Sequence, residues 1–150
     1  MRRLVLNALA VFVVALFSTA SLADTAAADA IKYRQAVMGG LAAHVTAFLL
    51  VNTGKVEHQD HLKAHASALV DLSSQVKVLF PAGTDAGNTE ALPLIWEEQE
   101  EFAQLVGKLE ASSAQVRDAV AANNKAGAMA AFKSLGETCK GCHDRYRKAD

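Results

Sequence analysis

The residues with the clearest chemistry lie near the end of the chain, in the run Cys139-Lys140-Gly141-Cys142-His143. On a helix, residues three apart lie on one face about one turn apart, so two thiols can reach the two vinyl groups of a single porphyrin. His143 follows Cys139 by one helical turn and can bring an imidazole nitrogen to the iron as the proximal ligand. The spacing is the C-x-x-C-H pattern of c-type haem attachment. It predicts one covalent haem c, held by Cys139 and Cys142 and ligated by His143.

Three other roles for the cysteine pair were weighed: a surface disulfide, a redox-active dithiol and half of a zinc site. A thioredoxin-like dithiol belongs beside a βαβ pattern, which the sequence lacks. A structural zinc site usually needs four ligands, and the chain of 150 residues has only these 2 cysteines. A disulfide between such close neighbours would close a tiny ring and staple no distant segments. Haem attachment therefore fits the pair best.

The first residues of the chain are typical of a secretory signal. Two arginines follow the first methionine, the run 4–17 is apolar apart from one asparagine, and a Ser-Leu-Ala triplet ends at Ala23. A signal peptide has these charged, apolar and small-residue parts in the same order. We expect residues 1–23 to be a cleavable signal peptide and residues 24–150 to be the mature domain, in the periplasm if the source is a bacterium. An uncleaved N-terminal anchor is the alternative.

Charge and hydropathy argue against two classes of partner. The chain has 15 Lys and Arg against 16 Asp and Glu, and loss of the two leader arginines makes the balance more acidic. Such a chain offers no general attraction to nucleic acid or to anionic membranes. A membrane span needs about 20 apolar residues, and no stretch after the leader meets that need in the sequence. We therefore expect no membrane attachment after signal cleavage.

Along the mature chain, apolar residues recur at spacings of three and four, which is the period of amphipathic helices. The predicted helices cover residues 29–52, 57–80, 93–123 and 125–148. Gly54 follows the first helix, Pro81 ends the second, and the polar segment 81–89 forms a loop. Such helices bury their apolar faces together as an antiparallel bundle, and no alternating segment predicts a sheet. The expected fold class is all-α.

Three stretches of the sequence carry a family resemblance. They are Tyr33-Arg34-Gln35, Pro93-Leu94-Ile95-Trp96 and the run from Cys139 to Arg147. Together they resemble the class II c-type cytochromes, whose best-known members are the cytochromes c′, over essentially the whole mature chain. Most other c-type cytochromes carry the haem motif near the N-terminus. Cytochrome c′ is itself a known four-helix bundle, so the resemblance implies an antiparallel four-helix bundle with one covalently bound haem.

The resemblance also implies that the haem lies inside the bundle, with His143 on one face and a first-helix residue over the other. Met38 falls at that position, one turn after Arg34 and on the inward stripe. If the Met38 sulfur binds the iron, both axial positions are filled and the protein is an electron carrier, which is the function we expect. If Met38 only packs, the vacant position would admit nitric oxide or carbon monoxide, as in the high-spin relatives. The protein would then bind or scavenge gas.

Two arginines are candidate partners for the haem propionates, because a guanidinium group matches a carboxylate. Arg34 and Arg147 each lie within one turn of a residue that we place at the haem; a solvated arginine is the alternative for each. Tyr33 and Trp96 are interpreted as packing residues. We do not expect an enzyme, because the sequence shows no Ser-His-Asp arrangement and no phosphate-binding loop.

Four histidines outside the motif need a separate interpretation. His58, His61 and His65 share a helix face at spacings of three and four, which could hold a zinc or copper ion. A solvated polar face is favoured, because no carboxylate or thiol is obviously arranged to complete the site. His44 is rotated away from the Met38 stripe, so it would ligate the haem only if the first helix turned differently.

Two surface features bear on protein partners. Acidic residues at 97, 98, 100 and 101 are interpreted as a solvated face, with a docking site for a basic redox partner as the alternative. At the end of the first helix, Phe48, Leu49 and Leu50 form an apolar face that is compatible with a homodimer, and high-spin relatives often pair through their first two helices. The sequence does not identify a redox partner.

Overall fold

The structure of the protein is a computed structural model that describes residues 24–149 with their side chains. The first helix, α1, has the bounds Arg2–Asn52, and its described part is Asp24–Asn52. The predicted signal peptide, residues 1–23, and its cleavage site after Ala23 lie outside the described residues. The division into a leader and a mature domain therefore stays a prediction.

The described chain is all-α, as predicted. The helices that follow α1 are α2 (Leu62–Ser73), α3 (Leu94–Glu97), α4 (Gln99–Ala121) and α5 (Lys125–Tyr146), and short 3₁₀ turns cover Gln59–His61 and Val76–Val78. The four long helices α1, α2, α4 and α5 form a bundle, in which α4 packs on α5 and α2, and α2 packs on α1. Between residues 24 and 149 the only β-pairing is one isolated bridge, Ala91 with Arg147.

The first helix ends where the sequence predicts, whereas the second helix is shorter than predicted. α1 ends at Asn52 as expected, and Gly54 takes the positive φ of 73° that suits glycine after a helix. α2, in contrast, ends at Ser73, well before Pro81. The Ser74 hydroxyl donates to the Asp71 carbonyl at 2.8 Å, and such local bonds offer the backbone an alternative to the helix. Beyond Ser74 the chain continues through the 3₁₀ turn Val76–Val78, so the regular helix ends before Pro81 is reached.

The third predicted helix is divided in two by Glu98. This residue has φ −112° and ψ 51°, outside the helical region, and it separates α3 from α4. The Glu98 carboxylate accepts hydrogen bonds from Arg145 and Tyr146 at the end of α5. At the other end of the fold, α5 stops at Tyr146, because Arg147 adopts an extended conformation and pairs with Ala91.

Two apolar clusters fill the bundle, and both cysteines of the motif contact them. The Val37 cluster consists of Val37, Val76, Leu79, Ile95, Phe102, Val106 and Tyr146, and Cys142 packs against it. The Phe48 cluster consists of Phe48, Ala66, Leu69, Val116, Val120, Ala128 and Leu135, and Cys139 packs against it. The cysteine motif therefore lies where the two halves of the core meet.

The apolar face predicted for a homodimer is smaller than expected. Phe48 is fully buried and stacks on Phe132 with ring centroids 4.8 Å apart, so it belongs to the core. Leu49 and Leu50 are exposed, at 39% and 36%. The homodimer stays a prediction, and Phe48 is removed from its proposed surface.

One described helix is long and apolar enough to cross a membrane, judged by length and composition alone. It is Asp24–Asn52, with a mean hydropathy of 1.3. By this measure the segment is more apolar than the sequence analysis allowed. Core helices of soluble proteins and signal sequences near the N-terminus have the same length and composition. Ile31, Val37, Phe48 and Val51 of this helix are buried inside the bundle.

Candidate haem site

The last helix, α5, carries the whole cysteine motif on one continuous stretch. Asn124 caps its N-terminus, with the side-chain oxygen accepting a hydrogen bond from the Gly127 backbone N–H at 2.9 Å. Cys139 and Cys142 are both free and half-buried, and they lie about one turn apart on the helix face that packs on the core. The arrangement therefore presents two thiols to a common group, as haem attachment requires.

Burial affects the ionisation of both thiols in the same direction. Burial raises the pKa of Cys139, and burial together with the neighbouring Cys139 raises the pKa of Cys142 to about 11. Thiols that act in redox exchange or bind metals are those whose pKa is lowered, because the thiolate is the reactive form. Both thiols are therefore held in the protonated form near neutral pH, unlike the activated cysteines of redox dithiols.

Met38 and His143 lie on the two helices that would face a haem. Met38, on α1, is half-buried and packs against the Val37 cluster, the same cluster that Cys142 contacts from α5. His143 is exposed, and partial desolvation followed by the charge of Arg147 lowers its pKa. A low pKa favours the neutral imidazole, which is the form that can bind iron. The residues of the motif and Met38 thus fit a haem between α1 and α5.

Arg34 has partners that the sequence analysis did not foresee. Its side chain is only 3% exposed, and it makes four hydrogen bonds: Nη1 donates to the Leu79 carbonyl (3.5 Å) and the Thr84 hydroxyl (3.0 Å), and Nη2 donates to the Thr84 carbonyl (3.0 Å) and the Thr89 hydroxyl (2.7 Å). The guanidinium carbon also lies 4.8 Å from the centre of the Phe80 ring. Arg34 therefore anchors the 81–89 loop to α1.

These contacts bear directly on the predicted propionate role of Arg34. A guanidinium group has five N–H donors, so the four hydrogen bonds to the loop and to Leu79 leave the Nε–H for a propionate. The other candidate, Arg147, forms an ion pair with Glu90, with Nη2 and Oε2 at 2.6 Å. Both propionate contacts stay predictions, and in each case the structure shows a protein partner for the same guanidinium group.

A network at the end of α5 was missed by the sequence analysis. Arg145 donates to Glu98 through Nε and Nη2, each at 2.8 Å, and the Tyr146 hydroxyl donates to Glu98 at 3.0 Å. Glu98 was interpreted as part of a solvated acidic face, which is wrong for this one residue. The hydrogen bonds from Arg145 are the main cause that lowers the pKa of Glu98. The network ties the last turn of α5, the helix that carries the cysteine motif, to the start of α4.

We expect Glu98→Ala to lower the free energy of unfolding at pH 7 and to do so much less in acid. A carboxyl with a lowered folded-state pKa stabilises the fold above its ordinary pKa, about 4.3 for glutamate. That contribution is lost as the pH falls through the lowered value. Urea denaturation of the wild type and the variant at pH 7 and pH 3 measures the difference. Glu100→Ala, which changes an exposed glutamate in the first turn of α4, is the control. An equal effect of Glu98→Ala at both pH values would contradict the prediction.

The four remaining histidines form two pairs instead of one helix face. His58 lies before α2, and its ring stacks on His61 with centroids 5.0 Å apart. His65 instead contacts His44 on α1, with the two Nδ1 atoms 3.0 Å apart. The predicted set of His58, His61 and His65 on one face is therefore wrong, because the chain enters α2 through a 3₁₀ turn. Trp96 packs against the Val37 cluster and donates a hydrogen bond to the Pro81 carbonyl, in agreement with a packing role. Tyr33 is 56% exposed and donates a hydrogen bond to Gln75, so it lies at the edge of the bundle.

Comparisons with known proteins identify the family of the chain. A family model described as cytochrome C′ matches residues 29–147. The chain is similar to cytochrome c′ from Alcaligenes xylosoxydans xylosoxydans, with 32% identity over 121 residues that cover 80% of this chain and 94% of the relative. It is also similar to cytochrome c-554 from Cereibacter sphaeroides, with 34% identity over 116 residues that cover 75% of this chain and 70% of the relative.

Solved structures show the same fold. Cytochrome c prime from Shewanella frigidimarina superposes with a TM-score of 0.77 at 32% identity, covering 82% of this chain and 97% of that one. A nitric oxide complex of a variant of cytochrome c prime from Alcaligenes xylosoxidans has a TM-score of 0.76 at 31% identity, covering 83% of this chain and 97% of that one. The chain therefore belongs to the cytochrome c′ family of class II cytochromes, which are four-helix bundles that bind one covalent haem c.

Proposed function

We propose that Cys139 and Cys142 hold the haem through two thioether bonds and that His143 binds its iron. The support is the placement of both thiols on the core face of α5, with the imidazole in the following turn. When bound, a haem c supplies an iron that can exchange one electron or take a diatomic ligand. The residues around the site decide between these two activities.

We infer that the protein binds a small diatomic gas, nitric oxide or carbon monoxide, on the face of the haem opposite His143. The observation that carries this proposal is the similarity to a cytochrome c prime whose structure is a nitric oxide complex. Met38 has a place of its own in the core, against the Val37 cluster. Since a flexible thioether fills irregular gaps well, Met38 can pack there and leave the iron position open.

The surroundings of Met38 suit a neutral gas. Val37, the residue before Met38, is buried. Leu41, about one turn further along α1, packs against both core clusters. Apolar side chains in these positions exclude water and offer no hydrogen-bond donor to an anion. A small uncharged ligand would therefore compete best for the open position.

Electron transfer is the second candidate, and one observation favours it. Met38 and Cys142 pack against the same cluster, so the thioether and the haem edge would be neighbours. Thioether sulfur is a competent axial ligand, and His/Met ligation raises the potential of a haem. Under this proposal Met38 fills the position that a gas would need, and a redox partner protein would exchange the electron.

The optical spectrum of the ferrous protein tests the gas-binding proposal. We expect a broad, high-spin spectrum that shifts when carbon monoxide is added, because the iron has an open position. Met38→Leu, which conserves volume in the core, should leave the spin state unchanged. Sharp low-spin bands that ignore carbon monoxide, and that become high-spin in Met38→Leu, would instead establish Met38 as the sixth ligand and the protein as an electron carrier.

We also infer that the mature domain, residues 24–150, acts in the periplasm and is not an enzyme. The support is the composition of the leader and the cytochrome c′ family itself. The N-terminal sequence of the purified protein checks the export step. Asp24 as the first residue is the expected result, and an intact leader would indicate an anchored protein.

A further inference from the structure

Two histidines face each other across the contact between α1 and α2. His44 on α1 and His65 on α2 are both half-buried, and their Nδ1 atoms lie 3.0 Å apart. The two rings are tilted by 53°, with centroids 5.3 Å apart. Their ring nitrogens therefore converge on one point between the helices.

Only a few protonation states or bound ions allow two Nδ1 atoms to lie this close together. Each Nδ1 either carries a proton or presents a lone pair. Two protons at this separation repel each other, and so do two lone pairs, whereas a single proton makes a hydrogen bond and a single metal ion can accept both lone pairs. Burial, with help from the charges of His44 and His61, lowers the pKa of His65. A neutral imidazole is the form that binds metals.

We propose that His44 and His65 form a binding site for a divalent transition metal, with Cu²⁺ as the best-fitting ion. Metal–imidazole bonds are about 2.0–2.1 Å long, so an ion bound to both nitrogens at their present separation of 3.0 Å would have a ligand angle of about 95°. Tetragonal Cu²⁺ prefers right angles between neighbouring ligands, whereas tetrahedral Zn²⁺ would need the nitrogens about 3.3 Å apart. Cu²⁺ also binds nitrogen ligands most tightly in the divalent series.

The site is separate from the proposed haem site. His44 follows Met38 by six positions on α1, so the two side chains leave the helix in directions about 120° apart. The cysteine motif, in turn, lies on α5. A metal at the histidine pair would link α1 directly to α2, and water would take the remaining ligand positions.

A second group of possible ligands lies close by and must be distinguished from the pair. His58, Asp60 and His61 are exposed around the 3₁₀ turn, with one potential ligand atom from each within 4.8 Å of the others. Their exposure leaves the side chains free to move, so a metal would have to order all three. The His44–His65 pair is held by two packed helices and needs less ordering.

Calorimetric titration of the ferric holoprotein with Cu²⁺ tests the proposal. We expect His44→Gln and His65→Gln each to weaken binding by at least the roughly tenfold that loss of a supporting residue costs at metal sites. The control is the double variant His58→Gln/His61→Gln, which should bind Cu²⁺ within about threefold of the wild type. Cu²⁺ should also raise the unfolding temperature of the wild type, since it binds only the folded pair.

Two outcomes would overturn the proposal. One is unchanged Cu²⁺ affinity in both His44→Gln and His65→Gln; loss of binding in the control variant would then assign the metal to the exposed group. The other needs no variant: the electron paramagnetic resonance spectrum of the wild type with one Cu²⁺ should show coupling to two imidazole nitrogens. Coupling to fewer than two excludes the pair even if a substituted protein fails to fold.

Discussion

The chain with both Cys139→Ala and Cys142→Ala is expected to carry no covalent haem. The thioether bonds need both sulfur atoms, and the sequence contains only 2 cysteines. Produced in a host that matures c-type cytochromes, the wild type should exceed the mass of its bare polypeptide by one haem. The double variant should have the mass of the polypeptide alone. Mass spectrometry of the denatured proteins measures the difference, since denaturation removes any haem that is not covalently bound.

Two controls sharpen this experiment. Lys140→Ala changes an exposed residue inside the motif that forms an ion pair with Asp144, and it should leave the haem attached. Each single cysteine variant should retain one thioether bond and show a shifted spectrum of the reduced haem. A wild type with the mass of its bare chain would refute the haem assignment, and so would a double variant that keeps its haem after denaturation.

Arg34→Met is expected to lower the free energy of unfolding by about 3 kcal/mol. The substitution conserves much of the side-chain length but removes four hydrogen bonds that link α1 to Leu79, Thr84 and Thr89. The Leu79 and Thr84 carbonyls lose this donor in the buried interior, which costs more than the bonds themselves contribute, whereas the Thr89 hydroxyl keeps the hydrogen bond from the Ala91 N–H. Urea denaturation followed by circular dichroism measures the change.

Control variants separate the effect of the lost hydrogen bonds from the effects of charge and of helix propensity. Lys32→Met removes an exposed charge from the same helix, where Lys32 pairs only at 3.5 Å with Asp29, and should change stability by less than about 0.5 kcal/mol. Arg34→Lys keeps the charge without the planar group, and its loss of unfolding free energy should lie between those of Lys32→Met and Arg34→Met. Amide exchange of the 81–89 loop should accelerate in Arg34→Met. A variant as stable as the wild type, with the loop still protected, would show that Arg34 does not anchor it.

The parts of the fold that the sequence predicted well depend on local spacing. Helix periodicity, the stop at Asn52 and the start of the last helix at Lys125 involve residues within one or two turns of each other. The haem motif is equally local, because both cysteines and the histidine lie on one helix. Short-range patterns of this kind are visible in any window of the chain.

The features that only the structure shows are contacts between distant segments of the chain. Arg34 contacts Thr84 and Thr89, which follow it by 50 and 55 residues. Arg145 contacts Glu98 across 47 residues, and that contact accompanies the break between α3 and α4. No periodic pattern records such pairs, because their partners are selected only when the helices pack.

The sequence by itself determined that two thiols and an imidazole lie on one helix, and that four amphipathic helices form the bundle around them. Only the tertiary structure decided that Arg34 supports a loop and that His65 pairs with His44 across 21 residues. The physical reason is that helical spacing sets which residues share a face, while packing sets which faces meet. Haem attachment needs the first kind of information, and the partners of buried polar groups need the second.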